Sequence, residues 1–385
     1  MNQVWITGVG TSSFGRLADQ TPGDLVATAV TEAMDDAGVT PADLDAIYLG
    51  SVFGAPGIAN RVTDHAGLHG VPIIRLEAAC ASGTSAFHEA VQNVGHGRFR
   101  TVLAVGVEHM SSTFPRGPIV PEPTDREQRT GLALPALYAL QAHRYLHDTG
   151  TPAEAIAGVA VKNKRHGSMN PRAHLAKGDV TLDEVLAAPM VADPLTRLQC
   201  CPLTDGAAAA VVSAERSETR PTCVEVLASD MVSGIPWGAA STDRYWGVGP
   251  VRRAAAAAYA LAGVTATDVH VAEVHDAFTI GEVLAVEALG LAGPGTAARR
   301  IADGGFAIGS ADGPTINPSG GLLSRGHPLG ATGLAQLAEI TWQLRGEAAD
   351  RQVDDARVGL VETMGGGAAG VDGNAAVVTI LRRTP

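Results

Sequence analysis

The sequence is poor in cysteine and in charged residues for its length. Only four of its 385 residues are cysteine, and 18% are charged. Four cysteines without a C-x-x-C pair give neither a disulfide framework nor a paired-thiol zinc site, so we predict no metal and a reducing compartment, the cytoplasm. No stretch approaches the roughly 20 apolar residues of a membrane span, and the first residues lack the pattern of a signal peptide. These absences predict a soluble protein without a membrane partner.

Positive charge is scarce as well. The 28 lysines and arginines are outnumbered by 40 acidic residues, which gives a net charge of −12 and argues against a nucleic-acid partner. An anionic ligand such as a coenzyme A thioester stays compatible, because a local basic cluster can bind phosphates within an acidic protein. Such a cluster is formed by Lys162, Lys164, Arg165 and His166. A solvated helix end is the more common role for a cluster of this kind.

A dinucleotide-binding fingerprint is also missing. Gly8 and Gly10 follow the first predicted strand, but a G-x-G-x-x-G motif would need glycine at position 13, where Ser13 stands. We therefore predict no nicotinamide cofactor and no other bound cofactor. Hydrophobic residues make up 45% of the chain, which also contains 46 glycines, and this composition favours an α/β enzyme of two domains.

Two internal echoes occur in the same order along the chain. Residues 37–50 (A-G-V-T-P-A-D-L-D-A-I-Y-L-G) resemble residues 262–275 (A-G-V-T-A-T-D-V-H-V-A-E-V-H). Residues 102–110 (V-L-A-V-G-V-E-H-M) resemble residues 358–364 (V-G-L-V-E-T-M). The period is too long for a solenoid, so the echoes predict two similar α/β halves. Chance similarity between alanine-rich helices explains the first echo less well, because the match continues through a turn into a strand.

The echoes suggest a division of the chain. We assign residues 1–110 and 200–250 to an N-terminal half, residues 251–385 to a C-terminal half, and residues 111–199 to an inserted loop domain. An insertion of this length usually covers a functional site. Within it, residues 131–140 are compatible with an acyl tunnel or with a dimer core, and the core is the more usual role of an apolar helix face.

Helix boundaries are indicated by capping patterns. Thr21-Pro22 predicts the start of a helix that ends at Gly38. Thr151 and Thr181 are each followed three residues later by glutamate, so each predicts a capping box that opens a helix.

Cys80 stands where an apolar stretch ends and a small-residue turn opens into a predicted helix. Amide N–H groups and the dipole at the start of a helix favour a thiolate, so we predict a lowered pKa and a nucleophilic sulfur. The alternative is a buried structural cysteine, since cysteine often behaves as a small hydrophobic residue. For Cys200 and Cys201 we predict packing rather than chemistry.

Two histidines stand in contexts that suit chemistry with this thiol. His275 follows a predicted strand and precedes a helix, where open α/β sheets place their sites, although a hydrogen-bonded core histidine fits equally well. His327 lies between Gly326 and Pro328 in a rigid turn, and the usual pKa of histidine suits a general base. Residues 365–367 are three glycines that form either a tight turn or an oxyanion-binding loop.

The motifs together resemble a known family. The stretches A-A-C-A-S-G, C-P-L-T-D-G-A-A-A, V-H-D-A-F, N-P-S-G-G-L-L-S-R-G-H-P-L-G-A-T-G and M-G-G-G occur in the order typical of the thiolase superfamily. The H-D-x-F motif is most similar to the sterol-carrier-protein-2-type, or lipid-transfer, thiolases. This resemblance implies an α/β fold of two βαβαβαββ halves, a five-layered α-β-α-β-α core with an inserted loop domain, and a tight homodimer.

The resemblance also implies roles for individual residues. Cys80 matches the nucleophile that becomes acylated, and His327 matches the histidine that activates it. His327 and His275 match a first oxyanion hole, and the amides of Cys80 and Gly365 match a second one. Asn317, Thr363 and Gly366 are implied as supporting or substrate-lining residues.

One position departs from the family pattern. Thiolases use a second cysteine as acid/base for carbon–carbon bond formation, and this chain has Thr363 or Ala277 at the places where it occurs. A threonine hydroxyl is too weak an acid or base near pH 7 to replace a thiol.

We therefore predict an acyltransferase of lipid metabolism that takes an acyl group from a CoA or carrier-protein thioester and passes it to an acceptor, by carbon–carbon bond formation or thiolysis. The alternatives are a retro-aldol lyase that acts on a β-hydroxyacyl-CoA with a small OB-fold partner, and a non-catalytic acyl or lipid carrier. Either alternative would leave the thiol without a covalent role.

Overall fold

The computed structural model describes residues 2–115, 119, 124–126, 128–176, 178–217, 220–237, 243–366 and 370–385. Its first part contains β1 (Trp5–Thr11), α1 (Pro22–Ala37), β2 (Ala46–Gly50), α2 (Ile58–His65), β3 (Ile73–Leu76), α3 (Ser82–Gly95) and β4 (Thr101–His109). The next part contains α4 (Met110–Thr113), α5 (Leu134–Thr149), α6 (Ala153–Ser168), α7 (Leu182–Ala187), β5 (Met190–Ala192), β6 (Leu195–Thr196) and β7 (Asp205–Ser213). The last part contains β8 (Cys223–Ser233), α8 (Val248–Ala262), β9 (Val271–Glu273), α9 (Thr279–Ala288), α10 (Ala297–Ala302), β10 (Thr315–Ile316), α11 (Gly321–Arg325), α12 (Leu329–Arg345), β11 (Val358–Gly365) and β12 (Ala375–Thr384). In these described parts, no helix combines the length and the apolarity needed to cross a membrane.

Two five-stranded sheets share one topology. The first has the strand order β3-β2-β4-β7-β1 and the second has the order β10-β9-β11-β12-β8. In each sheet the first three of these strands are parallel and the last two are antiparallel to their neighbours. A short antiparallel pairing of β1 with β8 joins the sheets at their edges. The predicted duplication of a βαβαβαββ unit is therefore confirmed.

The elements stack in the five predicted layers. Helix α1 packs on the outer face of the first sheet, and α8 packs on the outer face of the second. Helices α3 and α12 lie between the sheets, because each contacts strands of both. Helix α12 is buried over nearly its whole length, including its polar residues Gln336, Glu339 and Gln343. The central layer is where the first turns of two helices from different halves meet.

The first echo corresponds to the same structural unit in both halves. Thr40 and Asp43 form a capping box in a short 3₁₀ turn before β2, and Thr265 and Asp268 form the same box before β9. The second echo corresponds to β4 and β11, the fourth strand of each half.

The predicted capping of two helices is confirmed and that of a third is wrong. Thr21 and Thr181 each form the predicted capping box, and Gly38 ends α1 with a φ of 68°. Helix α6 starts at Ala153 with Pro152 at the N-cap, so Thr151 lies one residue too early to cap it. Its hydroxyl instead accepts a hydrogen bond from Thr149.

The boundary between the halves differs from the prediction. Residues 200–250 were assigned to the N-terminal half, but β8 pairs along its whole length with β12 and contacts α8. Strand β8 is therefore the first strand of the second half. Its position could not be read from the sequence, because a buried strand has the same apolar pattern in either sheet.

Candidate active site

Cys80 lies in a tight turn between β3 and α3. The preceding residue, Ala79, has a φ of 49°, an unfavourable conformation for a residue with a side chain. Ser82 fixes the turn, since its hydroxyl accepts from the Ala78 amide and donates to the Ala79 carbonyl oxygen. The turn points the thiol into a buried space, and only 8% of Cys80 is exposed. This arrangement is typical of a held nucleophile.

His327 lies beside this thiol. Its Nε2 is 3.3 Å from Cys80 Sγ, and its Nδ1 is 2.7 Å from Thr332 Oγ1. The Thr332 hydroxyl donates its proton to the Pro328 carbonyl oxygen, so its oxygen accepts the Nδ1 proton of His327. Nε2 is then the unprotonated nitrogen and can accept the proton of the thiol. Thr332 thus selects the tautomer in which His327 acts as a base.

The resting pair is neutral, so the predicted low pKa of the thiol is wrong. Burial raises the pKa of Cys80 to about 12, and the amides of Gly366 and of Cys80 itself oppose this only in part. Burial, with help from His275 and Arg325, lowers the pKa of His327 well below its usual value. Cys80 precedes α3 by two residues, and the loss of solvation outweighs the helix dipole. A reaction in which this sulfur attacks as a thiolate would therefore have to transfer the thiol proton to His327.

Close glycine contacts hold the two helix starts together. A Cβ added to Gly83 at the start of α3, or to Gly106 in β4, would lie 2.5 Å or 2.3 Å from the Gly330 carbonyl oxygen. Gly330 itself opens α12, and its amide donates to the buried carboxylate of Glu108. Only glycine permits this approach of backbone to backbone. The distance between Cys80 and His327 depends on it.

His275 completes a cluster of three donors. Its ring centroid is 5.1 Å from that of His327, and one donor atom from each of Cys80, His275 and His327 lies within 4.8 Å of the others. Burial and Arg325 lower the pKa of His275 to about 3, so its imidazole is neutral. Its buried Nδ1 has no hydrogen-bond partner among the described residues. The three atoms are close enough to ligate one metal ion, and they are also close enough to bind one thioester group.

A buried polar network fixes the loops that carry both histidines. Asp276 accepts from the Leu322 amide, at 2.7 Å, and from Asn163 Nδ2, also at 2.7 Å. Asn317 accepts from the Val274 amide and donates to Glu282. Asn317 therefore ties the His275 strand end to the next loop, as a supporting residue would.

Three members of the basic cluster in α6 are buried (Lys162, Lys164 and His166), and Arg165 is exposed as a solvated helix end would be. Lys162 Nζ lies 3.0 Å from Glu282 Oε1 and donates to the Ile316 carbonyl oxygen. Lys164 donates to the Leu323 carbonyl oxygen. Both ammonium groups are buried against protein oxygens, which leaves them poorly placed for phosphate. These bonds offset the cost of removing the two ammonium groups from water. The sequence alone does not distinguish such a buried cluster from an exposed one.

A small cavity adjoins His275. Its volume is about 20 Å³, room for about one water molecule, and its lining is mostly apolar. The lining residues that matter for chemistry or shape are His275, Glu362, Tyr138, Trp246 and Met364. Tyr138 comes from residues 131–140, so part of that segment lines a cavity rather than only a packed core.

Strand β11 presents alternate residues to the cavity. Glu362 and Met364 line it, whereas Thr363 faces α12 and donates to Gln336 at 2.8 Å. Gly365 pairs with Ala375 in the β-ladder. The predicted role of Thr363 as a substrate-lining residue therefore has no support in its orientation.

The amide that faces the Cys80 sulfur is that of Gly366, one residue beyond the Gly365 predicted from the motif. Gly365 has no room for a side chain, because an added Cβ would lie 2.2 Å from the Ala78 carbonyl oxygen. Gly367, the third glycine of the motif, lies outside the described residues.

Sequence reasoning missed four residues of this region: Thr332, Glu108, Glu362 and Tyr138. Glu108 and Glu362 carried a signal, since each is the only charged residue within the matching part of an apolar strand. A buried acid in such a strand is uncommon unless it is bonded or functional. Thr332 and Tyr138 carried no signal that separates them from ordinary helix residues.

Comparisons with known proteins identify the family. Residues 4–216 match the family described as thiolase, N-terminal domain, and residues 238–383 match thiolase C-terminal domain-like. An acetyl-CoA acetyltransferase of Methanothermobacter thermautotrophicus is 40% identical over the whole of both chains. Human sterol carrier protein 2 is 37% identical over 99% of this chain and 72% of its own length.

Two solved structures show the same fold. One is titled Ltp2-ChsH2(DUF35) aldolase and has a TM-score of 0.82 at 24% identity, covering 98% of this chain and 97% of that chain. The other is human mitochondrial 3-ketoacyl-CoA thiolase, with a TM-score of 0.72 at 19% identity, covering 100% of this chain and 99% of that chain.

Proposed function

We propose that this chain, which belongs to the thiolase family, is an acyltransferase in which Cys80 accepts an acyl group from a coenzyme A thioester. The observation that carries the proposal is the buried neutral pair of Cys80 and His327, 3.3 Å apart, with the tautomer of His327 set by Thr332. A structural cysteine has no need of a histidine held in this way. The acetyl-CoA acetyltransferase relatives support the reaction class.

Acylation follows from the geometry of the pair. His327 Nε2 takes the thiol proton as Sγ attacks the thioester carbonyl carbon, and the imidazolium then returns that proton to the departing CoA sulfur. The amides of Cys80 and Gly366 act on the sulfur, and we infer that they also stabilise the oxygen that becomes negative on the attacked carbon, each at about 3 kcal/mol. Neutral His275 can donate to a thioester oxygen beside His327.

The acyl group then passes to an acceptor. We infer carbon–carbon bond formation with a second thioester, or thiolysis in the reverse direction, from the similarity to acetyl-CoA acetyltransferases. The cavity beside His275 is small and mostly apolar, which favours a short acyl group over a long one.

Intact mass measurement after brief incubation with a panel of acyl-CoAs tests the proposal. The expected result is a single acyl adduct on the wild-type protein and none on Cys80→Ala. Cys201→Ala is the matched control, because this thiol is also shielded from solvent, near Cys80, and its amide donates to the Ala277 carbonyl oxygen. Cys201→Ala should acquire the adduct like the wild type. Absence of any adduct on the wild-type protein would overturn the proposal.

The retro-aldol alternative makes a different prediction in the same experiment. A lyase would release an aldehyde or ketone from a β-hydroxyacyl-CoA without a Cys80 adduct, and it would need a small OB-fold partner protein. The intact thiol–imidazole pair argues against it, since cleavage of that kind has no use for a covalent cysteine.

We further propose a cytoplasmic homodimer. Strand β3 forms one edge of the sheet order and exposes Ile74, with 43% of its surface free. A free strand edge of this kind can pair with a second copy of the chain. Sedimentation of the purified protein tests this, and a monomer at micromolar concentration would contradict it.

A further inference from the structure

We propose that Glu362 is the acid/base that transfers the proton at the carbon–carbon bond, in place of the second cysteine that this chain lacks. This inference rests on the proposed function, because it assigns a residue to the step that follows acylation of Cys80. It differs from the resemblance, which points to Thr363 or Ala277 at the positions of the missing thiol.

The location of Glu362 suits this role. It lines the cavity next to His275, and its Oε2 accepts the His275 amide at 2.8 Å. Its Oε1 is buried and has no hydrogen-bond partner among the described residues. A buried carboxylate oxygen without a partner is costly, so its retention points to a reacting group that binds there. Glu362 also adjoins the Cys80 site through His275, because a donor atom of His275 lies within 4.8 Å of those of Cys80 and His327.

The chain contains a second buried glutamate for comparison. Glu108 lies in β4, the fourth strand of the first half, but it faces α12, whereas Glu362 of β11 faces the opposite side of its sheet. Both accept an amide two residues beyond the neighbouring strand, that of Val52 for Glu108 and that of His275 for Glu362.

The two glutamates differ in their remaining bonds. Glu108 also accepts the amides of Phe53 and Gly330, so both of its oxygens are occupied. Glu362 accepts a single amide, leaves Oε1 without a partner among the described residues, and lines the cavity. Glu108 is therefore a fully bonded structural carboxylate, and Glu362 has one oxygen available for chemistry.

The acidity of the group agrees with its position. Burial raises the pKa of Glu362 to about 7, against the lowering effect of the His275 amide. A general acid/base is most effective when its pKa lies near the working pH. Thr363, by contrast, is bonded to Gln336 on the other side of the strand.

The step balances without another reactant. Oε1 removes a proton from the carbon next to the thioester carbonyl of the donor CoA, and the C–H electron pair forms an enolate. The enolate carbon attacks the carbonyl carbon of the acyl-Cys80 thioester, whose C–S bond breaks. The departing sulfur recovers a proton, so that the proton held on Glu362 restores the thiol and the carboxylate. In thiolysis the same proton moves in the opposite direction, from Glu362 to the carbon that leaves.

Proton exchange at the donor carbon tests the assignment. We would incubate the enzyme with acetyl-CoA in D₂O and measure deuterium in the acetyl methyl group, beside the mass of the Cys80 adduct on the same samples. We expect Glu362→Gln to form the adduct but to exchange at least about 100-fold more slowly. Glu362→Asp should recover part of the exchange. The wild-type exchange rate should rise with pH through about 7, and Glu362→Gln should lose this rise.

The outcomes separate this inference from the proposed function. An adduct on Glu362→Gln together with wild-type exchange would overturn the role of Glu362 alone. Loss of exchange in Cys201→Ala, with exchange retained in Glu362→Gln, would assign the step to the neighbouring thiol. Absence of an adduct on the wild-type protein would overturn the acyltransferase proposal itself.

Discussion

Substitution of Gly330 by alanine should separate Cys80 from its base. The added Cβ would lie 2.7 Å from the carbonyl oxygens of Gly50 and of Val107. An ordinary carbon–oxygen contact is about 3.4 Å, so the start of α12 must move by roughly 0.7 Å. Because His327 precedes this helix by two residues, the same movement lengthens its 3.3 Å contact with Cys80 beyond the reach of a hydrogen bond.

The expected cost is large for activity and moderate for stability. A displacement near 1 Å in a reacting pair lowers a rate by about 100-fold, so we expect acylation of Cys80 to fall by about 10- to 100-fold. Overpacking of this kind costs about 1–3 kcal/mol of unfolding free energy. The acylation rate is measured by mass spectrometry over time, and the unfolding free energy by urea titration.

Gly158→Ala is the matched control. Gly158 lies inside α6, and the nearest atom to an added Cβ is 3.6 Å away, an ordinary contact. This substitution should leave acylation unchanged and stabilise the protein by about 0.5–1 kcal/mol. A folded Gly330→Ala protein that acylates at the wild-type rate would refute the argument that glycine contacts set the distance between Cys80 and His327.

Three further predictions concern the same region. Thr332→Val removes the acceptor of the His327 Nδ1 proton, so the acylation rate should fall by about 10- to 100-fold, and an unchanged rate would exclude the tautomer argument. The unpaired Nδ1 proton should also lower the unfolding free energy by about 1–3 kcal/mol. Because the pKa of Cys80 is raised and that of His327 is lowered, both groups are neutral at any pH between the two pKa values. The acylation rate should therefore be flat from about pH 6 to 9, and a rise with a midpoint near pH 7 would indicate a thiolate instead. Lys162→Met removes the only positive charge paired with buried Glu282 among the described residues, so the unfolding free energy should fall by about 3–5 kcal/mol in urea titration. An unchanged unfolding free energy would show that the ion pair is dispensable.

Much of the fold was accessible from the sequence because it depends on local and repeated patterns. The echo of residues 37–50 in residues 262–275 predicted the duplicated halves, and the capping residues of α1 and α7 predicted where those helices begin. The placement of β8 was wrong, because an apolar strand carries no information on which sheet it enters.

The candidate site likewise has features that the sequence predicts and features that depend on the tertiary structure. The sequence alone predicted Cys80, His275 and His327 as the candidate reactive side chains, because their types and their glycine-rich surroundings are local features of the chain, and the structure brings their donor atoms within 4.8 Å of one another. Only the tertiary structure decided that Cys80 and His327 are neutral, that Gly366 faces the sulfur, and that Glu362 rather than Thr363 faces the cavity. Burial, tautomer and side-chain direction depend on atoms contributed by distant parts of the chain, and no local pattern encodes them.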